Sequence, residues 1–393
     1  MAKMCYTSIK ACKQKSKRKD MFLGIGKPYF LGIDFGTSLI KAVELTLEEG
    51  KPKLLNYGQV DLGRLEKGIV TGENTHDDEV VLYLRALLDK LQPKSAGAYA
   101  AMPAFTGLVS LIELPEMDED DLKEAIQFEA HKYIPSSLED VALSWEVVGK
   151  HPASDGSGAA KMEILLVAAL NKEVARYRKY VHDVHLKMNF LELETFSLVR
   201  SVIHHEPGMF LVIDIGSRAT NLVLVDEGLV KVSRNLDAGG KDVTRTLTDA
   251  LSITAERAEI LKKSEKDFLN VAGSALVFPA LEMIASEAKR MIGAYQDKYP
   301  NIVCQGIVLS GGTAQLTGLT EYYSRMFGLP VRVGNPWDRI SYDPQLASDI
   351  KELGTSFSVA LGLALVGIDE ANHAGNQVSK KSFSLKQFLT RKI

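Results

Sequence analysis

Two aspartate-glycine segments carry residue types that bind phosphate, and they lie 180 positions apart in a chain of 393 residues. Residues 30–45, FLGIDFGTSLIKAVEL, place Asp34 at a glycine turn between two apolar strands; residues 210–225, FLVIDIGSRATNLVLV, repeat this pattern around Asp214. A single match to Asp-x-Gly-Ser/Thr is more often an ordinary β-turn. Two matches in register, each preceding half of the chain, indicate an internal duplication with two facing hairpins.

The residue types in these hairpins suit a polyphosphate with a magnesium ion. Gly36 and Gly216 allow tight turns whose backbone N–H groups come close to an anion. Mg²⁺ keeps most of its waters and takes only one or two carboxylates, which Asp34 and Asp214 supply. Lys41, seven residues after Asp34, can reach back across the hairpin as a point charge. The two hairpins therefore predict a clamp on a nucleotide.

Further candidates for the same site follow the hairpins or stand between them. Gly239 and Gly240 precede a predicted helix, whose N-terminus would face an anion. A predicted strand runs into Gly311 and Gly312, where bare backbone lets a flat adenine ring and its ribose lie close. Glu194, at a strand-to-helix junction, has two interpretations: it orients a water or the hydration shell of the metal, or it is a first-turn acid stabilised by the helix dipole.

Composition and charge predict a two-domain protein of a reducing, cytoplasmic compartment. The chain is 46% hydrophobic, enough for two separate cores. Seven of its 47 basic residues lie in residues 1–19, which leaves 40 basic against 50 acidic residues in the rest of the chain. This acidic balance excludes nucleic-acid binding by the body of the protein. Cys5, Cys12 and Cys304 offer neither metal spacing nor a disulfide framework. The longest apolar run, residues 359–368, is half of the roughly 20 residues that span a bilayer, which predicts a core segment.

Between the hairpins, the periodicity predicts a mixed α/β unit inserted into the first half. Strands are predicted over 106–114, 141–149 and 161–170, and helices over 117–134 and 171–187. No catalytic set of residues is found in this unit. It is therefore interpreted as an interaction module.

Both ends of the chain are basic. Residues 1–19 carry no acid and predict a flexible arm that either touches anionic lipid or has no role in the fold. At the other end, FSLKQFLTRKI (383–393) has apolar residues at helical spacing with basic residues on the other side. So short a helix is marginal alone in water, so it is expected either to form on a membrane or partner or to remain a frayed tail. The apolar positions are Leu385, Phe388, Leu389 and Ile393, and the basic ones Lys386, Arg391 and Lys392.

The order of these motifs over residues 30–368 resembles the actin, Hsp70 and sugar kinase superfamily of ATP-binding proteins. Within it, ELPEMDEDDLKEAIQFEAHKYIP, LVAALNKEV and LELETFSLVRS are similar to the PilM family of type IV pilus assembly proteins, relatives of the division protein FtsA. The resemblance implies an α/β fold of the actin/Hsp70-like, ribonuclease H-like kind, with two duplicated domains and an inserted strand-helix-strand-strand subdomain.

The resemblance also implies roles for residues that match the motifs of the family. ATP phosphates are held from one side by Asp34, Gly36, Thr37, Ser38 and Lys41 and from the other by Asp214, Gly216 and Ser217, with Gly240 nearby. Asp34 and Asp214 hold Mg²⁺, Glu194 and Asp214 are the catalytic residues, Glu259 and Lys262 line the ribose, and Gly311, Gly312 and Thr313 receive the adenosine.

The implied function is that of a cytoplasmic adaptor at the inner face of the membrane. It would bind ATP with at most slow hydrolysis and grip the cytoplasmic N-terminal peptide of a PilN-like membrane protein in a nucleotide-sensitive groove, beside other platform proteins. The alternatives are an FtsA-like polymer and a small-molecule kinase. The predicted division is a flexible arm (1–29), the first half (30–103), the insertion (104–187), a return to the first half (188–207), the second half (208–240), its small subdomain (241–302), a return with the closing helix (303–368), and a linker with the basic tail (369–393).

Overall fold

The first half of the protein is built on a six-stranded sheet. The structure is a computed structural model that describes residues 9–13, 28–62, 76–134, 137–151, 160–204, 206–270 and 276–375. The strand order is β1-β4-β3-β2-β5-β9, with β2, β3 and β4 forming an antiparallel meander and β5 and β9 added in parallel. The bounds are β1 Ile9–Lys13, β2 Tyr29–Phe35, β3 Leu39–Glu48, β4 Lys51–Asp61, β5 Gly97–Met102 and β9 Lys187–Leu193.

The second half repeats this plan. Its five-stranded sheet has the order β12-β11-β10-β13-β14, again a meander of three strands followed by parallel strands. The β10–β11 hairpin pairs Asp214 with Asn221, as the β2–β3 hairpin pairs Asp34 with Lys41. The predicted duplication is therefore visible in the register. The bounds are β10 Met209–Ile215, β11 Thr220–Asp226, β12 Leu229–Leu236, β13 Cys304–Ser310 and β14 Val331–Val333.

The insertion forms a separate small layer. Strands β6, Gly107–Pro115, and β7, Val141–His151, flank β8, Lys161–Leu170, and helix α2, Glu119–Ala130, covers them. Asp118 caps α2, because its carboxylate accepts hydrogen bonds from the N–H groups of the first turn. Leu122 and Ile126 of α2 pack against the sheet in a core of their own. The predicted strand-helix-strand-strand order is observed.

Helices cover the two large sheets, and their apolar faces build the two remaining cores. Those of the first half are α1 His76–Leu91, α3 Asn171–Asp183 and α4 Glu194–Val202; those that follow are α5 Gly240–Leu251, α6 Ala255–Lys262, α7 Pro279–Lys298, α8 Leu319–Phe327, α9 Ala347–Leu353 and α10 Ser358–Gly375.

The closing helix α10 packs on the first sheet at backbone distance. A Cβ atom on Gly32 would lie 2.1 Å from the carbonyl oxygen of Ala360, and one on Gly362 would lie 1.9 Å from that of Ser197. Within the described residues, one helical stretch, Pro344–Asn372, is long and apolar enough to cross a membrane, but most of it is buried inside the protein. This agrees with the predicted core segment.

A buried ion pair connects the insertion to the second half. Lys231 of β12 places its Nζ 3.1 Å from Oε2 of Glu163 on β8. The hydroxyl of Tyr299 donates to Oε1 of Glu163 at 2.9 Å, and Lys298 lies 2.9 Å from Glu113 of β6. The inserted layer therefore contacts both halves of the protein.

Several predicted boundaries differ from the structure. Residues 9–13 of the predicted flexible arm form β1, which pairs with the otherwise open edge of β4. The helix predicted over 171–187 ends at Asp183, since His185 has a φ of 61° and Lys187 begins β9. The linker predicted from residue 369 begins later, because α10 continues to Gly375. Residues 383–393 lie outside the described part of the chain.

Candidate functional site

The two hairpin turns have the same hydrogen-bond geometry. The N–H of Gly36 donates to the carbonyl of Leu39 at 3.1 Å, and the N–H of Gly216 donates to that of Ala219 at 3.0 Å. These two N–H groups therefore close the turns. In the first turn the donors left for an anion are the N–H groups of Thr37 and Ser38, which have no backbone partner among the described residues.

Ser38 supplies a test of whether this turn fits a phosphate. Its hydroxyl oxygen is buried, and it has no hydrogen-bond partner in the part of the chain that the structure describes. A buried polar group without a partner costs free energy. A phosphate oxygen or a metal-bound water at the turn would satisfy it, so the turn fits the ligand that the family implies.

The two aspartates stand at the ends of equivalent strands. Asp34 is 4% exposed at the end of β2, and its Oδ2 lies 3.4 Å from Nζ of Lys41. Asp214 occupies the corresponding place on β10, directly beside Ser310 of the neighbouring strand β13. The predicted pairing of Lys41 with Asp34 is thus present, while Asn221 stands where the second hairpin would have its lysine.

Electrostatic coupling places Asp34, Asp214 and Glu194 in one cleft. Burial raises the pKa of Asp214 to about 6, against the lowering effect of Ser310 and Lys41, and the charge of Asp34 raises it further. Burial also raises the pKa of Asp34, and Lys41 offsets part of that rise. Since these groups act on one another, the turns face a shared space. A cation would relieve their repulsion.

Glu194 is the first residue of α4 and faces both aspartates. Its Oε1 accepts a hydrogen bond from the N–H of Ala104 at 2.9 Å. Burial, followed by the charge of Asp34, raises its pKa to about 8, so the carboxyl is mostly protonated at neutral pH. This position suits a group that orients water in the cleft. A carboxyl without its charge would gain little from the helix dipole.

The start of α5 rests on the second turn and does not face open space. The N–H of Gly240 donates to the carbonyl of Gly216 at 2.9 Å, and that of Lys241 donates to Ser217 at 2.8 Å. These N–H groups donate to carbonyl oxygens of the second turn and are not free to bind an anion. The predicted anion-facing N-terminus is wrong in this respect. Gly240 still belongs to the site: a Cβ atom there would lie 2.5 Å from Oγ1 of Thr313.

Lys262 and Glu259 of α6 fix the neighbouring wall of the cleft. Nζ of Lys262 donates to the carbonyl of Gly240 at 3.1 Å and to the hydroxyl of Thr244 at 2.9 Å, and it pairs with Glu259 at 2.6 Å. Burial lowers the pKa of Lys262. Because these contacts engage the ammonium group of Lys262, Glu259 is the more open of the two toward a ribose, at 39% side-chain exposure.

The two glycines after β13 have different roles. Gly311 has a φ of 84°, and a Cβ atom there would lie 2.4 Å from the carbonyl oxygen of Ile215, so backbone geometry requires this glycine. A Cβ atom on Gly312 would meet nothing within 4 Å. Gly312 therefore faces open space, as a platform for a flat ring requires.

Sequence analysis missed a cavity beside the first turn. It has a volume of about 450 Å³ and lies between the first turn, the insertion and the second turn. Gly36 and Thr37 line it together with Phe105, Tyr177 and Arg218, which directly follows Ser217. The position of Arg218 in the second turn was the one signal available; the aromatic residues come from distant segments.

Among the described residues, no group of three or more His, Cys, Asp or Glu side chains is placed to ligate a metal directly. Mg²⁺ keeps most of its waters, so Asp34 and Asp214 would hold it through its hydration shell. Among the predicted residues, Lys41 pairs with Asp34, the charges of Asp34 and Asp214 act on Glu194, and Gly240 contacts Gly216, Lys262 and Thr313. Their roles toward ATP stay predictions.

Comparison with known proteins supports the assignment of the fold. Residues 32–368 match the family model described as Type IV pilus assembly protein PilM. The solved PilM-PilN type IV pilus biogenesis complex is similar with a TM-score of 0.71 and 24% identity, over 86% of this chain and 98% of that chain. Cell division protein FtsA of Neisseria meningitidis serogroup B is 21% identical over 85% of this chain and 89% of its own length. The predicted actin-like fold class with its insertion is confirmed.

Proposed function

Since the match to the PilM model covers residues 32–368, the chain belongs to this family of type IV pilus assembly proteins, and we propose that it is an ATP-dependent adaptor. It binds Mg-ATP between the two turns and holds the N-terminal peptide of a PilN-like membrane protein in the 450 Å³ cavity. Through that partner it is held at the inner face of the cytoplasmic membrane, within the pilus assembly platform.

The nucleotide part of the proposal is supported by the paired turns. Asp34 and Asp214 would hold the hydration shell of Mg²⁺, whose charge would offset that of the phosphates and of the carboxylates. Ser38 and Lys41 bind phosphate oxygens from the first half, while Ser217 does so from the second. Glu194 orients water but holds a proton at neutral pH, which keeps hydrolysis slow.

The peptide part rests on the composition of the cavity. Aromatic rings of Phe105 and Tyr177 supply apolar surface, and Phe105 is 56% exposed. Lys172 and Arg218, also in the lining, have no ion-pair partner among the residues the structure describes. The cavity thus combines aromatic surface with charged side chains, among them Glu173. Such a lining suits a short peptide whose bulky side chains pack on the rings and whose backbone carbonyls accept hydrogen bonds from the cations.

One observation connects nucleotide and peptide: residues of both phosphate turns line the same cavity. Gly36 and Thr37 come from the first turn and Arg218 from the second. A nucleotide that draws the turns together would change the width of the cavity. A ligand shifts such an equilibrium only by its difference in affinity for the two states. Nucleotide and peptide must therefore affect the affinity of each other equally.

The test is to titrate the N-terminal peptide of a PilN-like protein against the chain with and without Mg-ATP. We expect Phe105→Ala to weaken peptide binding about tenfold, and Met283→Ala, at a 47% exposed position on α7, to leave it unchanged. Asp214→Asn should remove the effect of nucleotide but retain basal peptide binding. Equal peptide binding by Phe105→Ala and the parent chain would exclude this cavity as the site.

The FtsA relatives favour a second candidate, an ATP-dependent polymer. Two of them match over 85% and 90% of the chain, each at 21% identity. Sedimentation with Mg-ATP separates the two candidates. An adaptor remains a small species until its peptide is added, whereas a polymer pellets with nucleotide alone.

A further inference from the structure

Helix α2 carries an exposed aromatic side chain on the outer side of the insertion. Phe128 is 74% exposed, the largest exposed fraction among the large apolar side chains of the described residues. It borders a depression of about 470 Å³. We define the α2 face by the residues that line this depression: Glu124, Gln127, Phe128, His131, Leu138 and Glu139.

The surroundings of Phe128 are negatively charged. The basic residues on α2 and just after it are already engaged: Lys123 pairs with Glu119 and Asp120, and Lys132 pairs with Glu129. Four acids near the face have no ion-pair partner within the described ranges. They are Asp121, Glu124, Glu139 and Asp140. The face is therefore an apolar centre with an acidic rim, which fits a basic amphipathic segment.

This chain contains a segment of the complementary chemistry. Residues 376–393 carry five basic side chains and no acidic one. Within them Leu385, Phe388 and Leu389 recur at helical spacing, and Lys386 and Arg391 flank this apolar stripe. Lys392, seven positions after Leu385, continues the stripe at its end. An amphipathic helix lays its apolar side chains into a groove, and the opposite charges set its orientation.

The path of α10 carries the chain away from the insertion of its own copy. We call the end of the sheets at which Asp34 and Asp214 lie the phosphate end. Ser358, at the start of α10, lies at this end, 3.0 Å from Ser310. Gly367 lies against Phe30, at the opposite end of β2. The insertion leaves the first sheet at the phosphate end. Residues 376–382 span about 25 Å at most, which is about the length of β2. This reach is too short to bring residues 383–393 back to the insertion of the same copy.

We propose that residues 383–393 of one copy bind the α2 face of a second copy, with Leu385 and Phe388 against Phe128 and the basic residues against Glu124 and Glu139. Because donor and acceptor surfaces differ, the contact is head-to-tail. It does not depend on nucleotide or on the peptide cavity. The two proposals can therefore fail separately.

The test uses a fluorescent peptide of residues 376–393 and the full chain, with anisotropy as the readout. We expect saturable binding that weakens at least about tenfold in Phe128→Ser, and as much in Glu124→Lys/Glu139→Lys. Val303→Ser, at a 67% exposed position in the second half, and Asp249→Lys, at an exposed acid of α5, are the matched controls and should bind as the parent chain does. Since all these side chains are exposed, the variants are expected to fold.

A charge exchange makes the test specific. A peptide with Lys386→Glu and Lys392→Glu should bind the parent chain poorly and recover binding to Glu124→Lys/Glu139→Lys. Sedimentation of the full chain should show self-association that Phe128→Ser reduces and excess peptide competes away. Equal binding to the parent and Phe128→Ser, or binding of a scrambled peptide as tight as that of the native one, would overturn the proposal. So would a peptide that binds anionic vesicles and shows no affinity for the chain.

Discussion

Lys231 and Glu163 form an ion pair of 3.1 Å that is almost fully buried between the second half and the insertion. The hydroxyl of Tyr299 also donates to the Glu163 carboxylate, at 2.9 Å. A buried pair contributes little net stability, but removing one partner leaves an uncompensated charge in the interior. The pair therefore fixes where the insertion sits relative to the second half.

The first prediction concerns this pair. Lys231→Met should cost about 3–5 kcal/mol of the free energy of unfolding, because Glu163 is left buried without its cation. Lys231→Met with Glu163→Gln should recover much of this loss, since the amide oxygen still accepts from Tyr299. Urea denaturation measures both. Lys298→Met breaks a pair in which the lysine is 52% exposed and should cost at most about 1 kcal/mol. Equal losses in the single and double variants would contradict the assignment.

The second prediction tests the clamp. Mg-ATP at a hundred times its dissociation constant should stabilise the folded chain by about 2.7 kcal/mol and raise its melting temperature by several degrees. Asp34→Asn and Asp214→Asn should each remove most of this shift, because in the proposed clamp both carboxylates would hold the hydration shell of Mg²⁺. Asp249→Asn, at an exposed position on α5, is the control. A parent chain that melts at the same temperature with and without Mg-ATP would rule out the clamp.

The third prediction concerns pH and Glu194. The carboxyl has an ordinary pKa of 4.5, which burial raises to about 8 in the folded chain. The folded state therefore binds the proton more tightly, and the resulting stability is present below pH 4.5 and lost as the pH rises through about 8. Glu194→Gln cannot lose a proton, so its stability relative to the parent should increase with pH across this window. Denaturant midpoints at both ends of the window measure the change, and a constant difference would contradict it.

The fourth prediction compares the two adjacent glycines. Gly311→Ala should destabilise the chain by at least about 1–3 kcal/mol, since the residue has a positive φ and its new methyl group would clash with Ile215. Gly312→Ala meets no neighbouring atom and should fold as the parent does. If Gly312 is the platform for adenine, its alanine variant should bind ATP more weakly while retaining its melting temperature. Equal ATP affinity would place the ring elsewhere.

Local chemistry explains which features the sequence predicted. The hairpins were predictable because Asp34 and Asp214 stand in identical local patterns, and the insertion because its apolar periodicity is regular. The end of α3 was not, since a left-handed residue, His185, stops it without a glycine or proline. The use of the Gly36 and Gly216 N–H groups within their own turns also required coordinates.

Contacts between distant segments could not be predicted from the sequence, for a different reason. Lys231 and Glu163 are 68 positions apart, and neither residue type indicates a buried position. The cavity beside the first turn likewise joins Thr37, Tyr177 and Arg218 from three separate regions. Only the packing of the insertion against both halves brings such residues together.

The two hairpins differ at the position that pairs with the aspartate, and this difference gives the cleft a direction. Lys41 pairs across the strand with Asp34, whereas the residue opposite Asp214 is the neutral Asn221. A lysine paired across the hairpin with the aspartate is therefore present on one wall and replaced by a neutral amide on the other. A triphosphate carries its most negative group at one terminus. Because the two duplicated walls are not equivalent, we expect ATP to enter the cleft in a single orientation.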